Sequence, residues 1–114
     1  MPVELSNPED VKIVTLAKAT RLRTGSAQGA AVRDLDGRTY AAAPVDLVSL
    51  QLSALQLAVA MAVSSGARGL EAAAVSTDSD VAEADLAAVR DLGGPGVDVI
   101  AADARGAATA VLHT

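Results

Sequence analysis

Gly29-Ala30-Ala31-Val32-Arg33-Asp34, then Leu35-Asp36-Gly37, then Arg38-Thr39-Tyr40-Ala41-Ala42-Ala43 reads as strand, turn, strand. Asp36-Gly37 is a strong hairpin signal, because glycine accepts a positive φ without steric cost. Upstream, Asn7-Pro8-Glu9-Asp10 opens a helix: Asn caps, Pro suits the first helical position and the two acids complement the positive end of the dipole. Val11, Val14 and Ala17 or Lys18 then fall at helical spacing, and the pattern runs to Arg23 before Thr24-Gly25-Ser26 breaks it.

Downstream, Pro44 ends the second strand and the stretch from Asp46 to Ser64 is the most apolar of the chain. Its Leu, Val and Met residues fall on nearly every side of a helical wheel, which predicts one helix buried on most sides. Ser49, Gln51, Ser53 and Gln56 interrupt it, and it is already short of the ~20 residues of a membrane span. Past Ser65-Gly66, Leu70–Ser76 reads as a strand and Thr77-Asp78-Ser79-Asp80 as the capping cluster of a helix. That helix ends at Leu92, before Gly93-Gly94-Pro95-Gly96. Val97–Ala102 and Ala107–Leu112 supply two more strands. The order α-β-β-α-β-α-β-β predicts an α/β protein, a three-layer α/β/α sandwich around a mixed sheet, with residues 1–114 as a single domain.

Of 114 residues, 26 are Ala, 14 Val and 13 Leu, with no Cys, Trp or Phe. The core must therefore be built from small side chains that bury little area each. Without cysteine there is no disulfide framework, thiolate metal site or cysteine nucleophile. A net charge of −5, scattered basic residues and a lone aromatic, Tyr40, leave no phosphate-tracking stripe and no stacking platform, so nucleic acid is not an expected partner. The N-terminal stretch Met1–Asp10 lacks a basic region followed by an apolar one and does not read as a signal peptide. The expected compartment is the cytoplasm.

The order of elements and the local text together resemble the cytidine deaminase family. Gly29-Ala30-Ala31-Val32, Asp36-Gly37-Arg38-Thr39-Tyr40, Ala62-Val63-Ser64-Ser65-Gly66, Val89-Arg90-Asp91-Leu92-Gly93 and Val99-Ile100-Ala101-Ala102-Asp103 match its text in order and approximate spacing, over nearly the whole chain. The resemblance implies a zinc site at two places. The first zinc helix of the family opens with Cys or His, then Ala, then Glu; counting back from Ser64-Ser65-Gly66 puts Ser53-Ala54-Leu55 there. The second motif, Pro-Cys-x-x-Cys, falls on Val81-Ala82-Glu83-Ala84-Asp85. The ribose-holding Asn-x-Glu pair falls on Pro44-Val45-Asp46, a candidate remnant of a ligand pocket, once about two residues are removed before Ser53.

Ser53, Leu55, Ala82 and Asp85 thus occupy the positions of the zinc and catalytic motif without its chemistry. Hydrolytic deamination needs a metal-bound water, and catalytic zinc needs three protein ligands plus an open position. The family's Glu moves protons during the reaction, which an aliphatic Leu55 cannot do. No cofactor and no metal are expected.

Other candidates have plainer readings. Asp78, Asp80, Glu83 and Asp85 could gather a hard cation, but acids favour helix N-termini through capping and the dipole. His113, the sole histidine, reads as a frayed tail residue. Ser53 reads as a helix serine bonding back to a carbonyl one turn earlier. Lys18, Arg21 and Arg23 form a basic patch that complements the negative end of the first helix. Gly93-Gly94-Pro95-Gly96 follows a helix and precedes a strand, the reverse of a phosphate-cradling loop.

These readings favour a non-catalytic, cytidine deaminase-like interaction or regulatory module whose partners are itself, as a dimer or tetramer, and an unidentified protein. The alternatives are a metal-free nucleoside or nucleotide binder, or an active deaminase with an atypical site of oxygen ligands. Self-association follows from the resemblance and also from the 46–64 stretch, whose apolar residues exceed what one sheet can cover. Leaving such side chains in water forgoes ~1.5–3 kcal/mol apiece.

Overall fold

A computed structural model describes residues 3–114. Met1 and Pro2, which begin the stretch read for a leader, lie outside the described residues. The elements are α1 (Pro8–Thr24), β1 (Gln28–Asp34), β2 (Thr39–Ala42), β3 (Val45–Leu47), β4 (Leu50–Leu52), α2 (Ala54–Ser64), β5 (Leu70–Thr77), α3 (Glu83–Gly93), β6 (Asp98–Ala102) and β7 (Ala108–His113). The main sheet has the order β2-β1-β5-β6-β7. β5 and β6 run parallel, joined across α3, and the other neighbours are antiparallel. The expected mixed sheet is present.

Both faces of this sheet are covered, which explains why β1 and β5 are buried along almost their whole length. Successive residues of a strand point to opposite faces. Ala31, Ala72 and Ala74 meet Ile13, Val14 and Ala17 of α1, while Val32, Ala73 and Val75 meet Leu55, Ala58 and Val89 of α2 and α3. The result is the three-layer α/β/α sandwich that the sequence predicts.

Two turns share one design. In the β1–β2 turn, Asp34 Oδ1 accepts from the backbone N–H groups of Asp36 and Arg38, both at 2.9 Å, and Gly37 sits at φ +82°. In the β6–β7 turn, Asp103 Oδ1 accepts from Arg105 and Ala107 at 2.9 and 3.0 Å, with Gly106 at φ +86°. An aspartate at the strand-to-turn junction, the last residue of β1 or the first after β6, and a glycine three residues later fix each reversal, since short acids bond the local backbone and glycine tolerates the left-handed region.

The helix expected over 46–64 is corrected. Its first third is a two-stranded hairpin, with Val45, Asp46 and Leu47 opposite Leu52, Gln51 and Leu50. Val45, Leu47, Leu50 and Leu52 share one of its faces, a period of two that only later gives way to a helical period. Ser53 marks the change. It is extended at φ −68°, ψ 164°, and forms a capping box with Gln56: its Oγ accepts from Gln56 N–H at 3.1 Å and its own N–H donates to Gln56 Oε1 at 3.0 Å. Such a box satisfies two otherwise orphaned donors and sets where a helix begins.

The Thr77–Asp80 cluster does not cap α3. β5 continues through Thr77, whose Oγ1 accepts from Ser79 N–H at 3.2 Å in a local turn, and the N-cap of α3 is Ala82, without a side-chain cap bond. Nor is His113 a frayed end. It closes β7 opposite Asp98, and its Nε2 lies 3.0 Å from Asp98 Oδ1.

Candidate functional site

The capping box holds Ser53 at the N-terminal end of α2, and the first turn of α3 brings Asp85 to meet it. Ser53 Oγ donates to Asp85 Oδ1 at 2.7 Å, across 32 residues of sequence. This corrects the expectation of a helix serine bonded to its own preceding turn. Asp85 is buried, 4% exposed, and its carboxylate stands at the positive ends of two helices, which favour a negative charge. Leu55, two residues on in the first turn of α2, is fully buried in the core, and Ala82 is exposed at the N-cap of α3. The structure therefore gathers Ser53, Leu55, Ala82 and Asp85 where α2 and α3 begin. Pro44 is half-buried and Asp46 exposed on β3, paired across the hairpin with Gln51 rather than with Ser53. The grooves on either side of α2 are lined by neither of them.

The acidic cluster is dispersed by its partners. Asp78 pairs with Arg21 at 2.8 Å and Glu83 with Arg90 at 3.3 Å, while Asp85 belongs to Ser53. Among the described residues, no three His, Cys, Asp or Glu side chains gather where they could hold a metal ion. The basic patch also dissolves: Arg21 is buried, 9% exposed, and its guanidinium reaches Ser76 Oγ at 3.3 Å as well as Asp78. Arg21 lies at the helix end as read, but the pull inward comes from a hydroxyl and a carboxylate more than fifty residues away. Arg33 is likewise buried, between Asp10 at 3.0 Å and Glu71 at 3.5 Å.

A family model described as cytidine deaminase-like matches residues 6–106. The chain belongs to the cytidine deaminase-like family. Solved structures agree on the fold. The cytidine deaminase of Burkholderia pseudomallei superposes with a TM-score of 0.72 at 25% identity, covering 90% of this chain and 89% of that one. That of Mycobacterium leprae gives 0.71 at 18% identity, covering 95% and 94%. That of Bacillus anthracis gives 0.64 at 16%, covering 95% and 83%. No curated protein matches the chain.

The donors present at the α2–α3 junction do not fit the zinc of a deaminase. Three protein ligands are required, and the junction offers one carboxylate and one hydroxyl that are bonded to each other, beside a methyl and an isobutyl group. The Ser53–Asp85 bond depends on how two helices pack, and the sequence carries no local signal for it.

Asp34, at the end of β1, and Tyr40, on β2, form a hydrogen-bonded titrating pair. Burial alone would raise the Asp34 carboxyl. Hydrogen bonds from Tyr40 Oη at 2.9 Å and from the Arg38 and Asp36 N–H groups outweigh it and hold the group below its ordinary 3.8. The same bond, with burial, pushes the Tyr40 hydroxyl above its ordinary 10.0. Both shifts stabilise the fold over a defined window. The Asp34 contribution is complete above about pH 3.8 and is lost as pH falls through its lower folded value. The Tyr40 contribution is complete below pH 10.0 and is lost as pH rises through its higher folded value. Thermal melts of Tyr40→Phe and wild type across pH should show the variant, less stable at neutral pH, losing less further stability than wild type both above pH 10 and as pH falls below about 3.8. Parallel curves would remove the pair as a source of this dependence.

Proposed function

We propose that this chain is a non-catalytic member of its family, a single-domain cytosolic protein that acts as a homo-oligomer and as an interaction or regulatory module. The observation that carries the reading is the 2.7 Å bond between Ser53 and Asp85. It occupies, with Leu55 and Ala82, the positions at which the resemblance places the family's zinc ligands and proton-transferring Glu. A carboxylate that is buried and already bonded to a hydroxyl supplies the negative charge that two helix N-termini attract, and it leaves no open coordination position. Removing general acid/base help alone costs ~10²–10⁴ in rate, and metal activation of water is lost with it.

The purified protein is expected to carry no stoichiometric zinc by elemental analysis and to release no ammonia from cytidine or deoxycytidine. One zinc per chain, with ammonia release abolished by a chelator, would overturn the reading in favour of an active enzyme. The oligomeric half of the proposal rests on the apolar side chains that the monomer leaves in water. Leu47, Leu50 and Val63 are 60%, 49% and 54% exposed, and Val48 is completely so.

A further inference from the structure

Between Asp10 and Asp34 the sequence carries five of the chain's nine Lys and Arg and no acid, although the whole chain is net −5. Most of that stretch is α1. Arg21 turns inward to Ser76 and Asp78, and Arg33 is held on β1 by Asp10 and Glu71. The others stay outside. Among the described residues Lys12, Lys18 and Arg23 pair with no carboxylate, and neither does Arg105 in the β6–β7 turn.

Ile13, Val14, Ala17 and Thr20 take the inner side of α1, so Val11, Thr15, Ala19 and Leu22, all exposed and at helical spacing, form one outer row. Val11 and Leu22 are 46% and 63% exposed. Thr15 and Ala19 between them are small, which leaves a saddle that another helix can approach closely. At about 3.6 residues per turn, Lys18 falls on one side of this row and Lys12 and Arg23 on the other. A Cβ built on Gly106 would stand 3.0 Å from Lys18 Cδ, so Lys18 lies against the turn that carries Arg105. On the same side a groove of about 230 Å³ opens between α1 and the start of β7, with Val3, Leu5, Val11, Thr15 and Ala107 among its walls.

We propose that the outer face of α1 docks an acidic amphipathic helix of a partner protein. The apolar row of that helix lies over Val11, Thr15, Ala19 and Leu22 and sets one side chain into the groove beside Val11, while Asp or Glu on its two borders face Lys18 and Arg105 on one side and Lys12 and Arg23 on the other. This names the partner's chemistry for the interaction role above and rests on that reading, whose own failure would appear as bound zinc and ammonia release and not in the binding measured below. An apolar row bordered by charge is what helix-to-helix docking reads, and the bordering charges set which partner is accepted. A second copy does not suit this face. Parallel or antiparallel, α1 against α1 sets cation against cation, and α2 carries no acid to offer instead. A lipid surface takes up bulky or aromatic side chains, whereas the middle of this row is a threonine and an alanine.

The test uses a fluorescently labelled peptide of about four heptads with Leu at a and d and Glu at e and g, whose own charges oppose self-pairing. By anisotropy it is expected to bind the wild-type protein, while its counterpart with Lys at e and g does not. Lys12→Gln/Arg23→Gln should weaken the acidic peptide at least about threefold, and Leu22→Ser should also weaken it, both with unchanged melting. Arg68→Gln, at an exposed arginine in the α2–β5 loop, should leave it as it is. Absence of binding, equal binding of the Lys peptide, or binding that survives either Lys12→Gln/Arg23→Gln or Leu22→Ser overturns the proposal. Vesicles of phosphatidylserine and phosphatidylcholine that bind the protein when the peptide does not would overturn it in favour of a lipid surface.

Discussion

Gly29→Ala should unfold the protein or lower its stability by about 3 kcal/mol or more, the upper end of what overpacking costs. A Cβ built on Gly29 would overlap the carbonyl oxygen of Ala17 and stand 2.8 Å from the backbone nitrogen of Arg21. Both are backbone atoms in the interior of α1, so neither can turn away as a flexible side chain would. The gain from replacing glycine inside a strand is only ~0.5–1 kcal/mol, too small to offset that overlap. Relief would require lifting α1 from β1, and with it Ile13, Val14 and Ala17 from their contacts with the sheet. Because this core is made of small side chains, each contact depends on the close approach that Gly29 permits. Gly37→Ala is the control. Its Cβ would meet nothing within 4 Å, and only the left-handed backbone is disfavoured, at roughly 1–2 kcal/mol. Urea unfolding of both variants separates the two costs, and a Gly29→Ala variant no weaker than Gly37→Ala would mean that the helix can move away freely.

Local chemistry made most of the architecture legible. Asn7 caps α1 as read, its Oδ1 accepting from Glu9 N–H at 2.9 Å, and Asp34, Asp36 and Gly37 make the β1–β2 turn. These features depend on neighbours within a few residues. The misreading over 46–52 arose because leucines at 47, 50 and 52 satisfy either period over so short a run, although Ser53-Ala54-Leu55-Gln56 carries the capping-box spelling that locates the helix start. The contacts of the candidate site were illegible. The bond between Ser53 and Asp85, like those of Arg21 with Ser76 and Asp78, joins residues brought together by packing between elements far apart in sequence. His113 illustrates the same limit: one residue from the end of the sequence, it is held because β7 pairs with β6.

Ser53→Ala should cost about 3 kcal/mol, a large part of the ~5–15 kcal/mol that holds a domain together. Losing the cap of α2 accounts for about 1 kcal/mol. The remainder comes from Asp85, whose buried carboxylate is left without its hydroxyl donor, a penalty of ~1–3 kcal/mol and more when the group is charged. Asp85→Leu should be milder, because it removes the charge itself while Ser53 Oγ still accepts from Gln56 N–H and keeps the cap. The two costs should not add. Once Asp85 is leucine, replacing Ser53 forfeits only the cap, so Ser53→Ala/Asp85→Leu is expected to be more stable than Ser53→Ala alone, with a coupling of roughly 1–2 kcal/mol in a double-mutant cycle. Chemical denaturation of the four proteins measures it. Strict additivity would mean that Asp85 finds another donor when Ser53 is lost, and that the bond does not fasten α2 to α3. A positive coupling would identify it as the polar link between the two helices, made from one hydroxyl and one carboxylate at the place where the family's resemblance sets a metal.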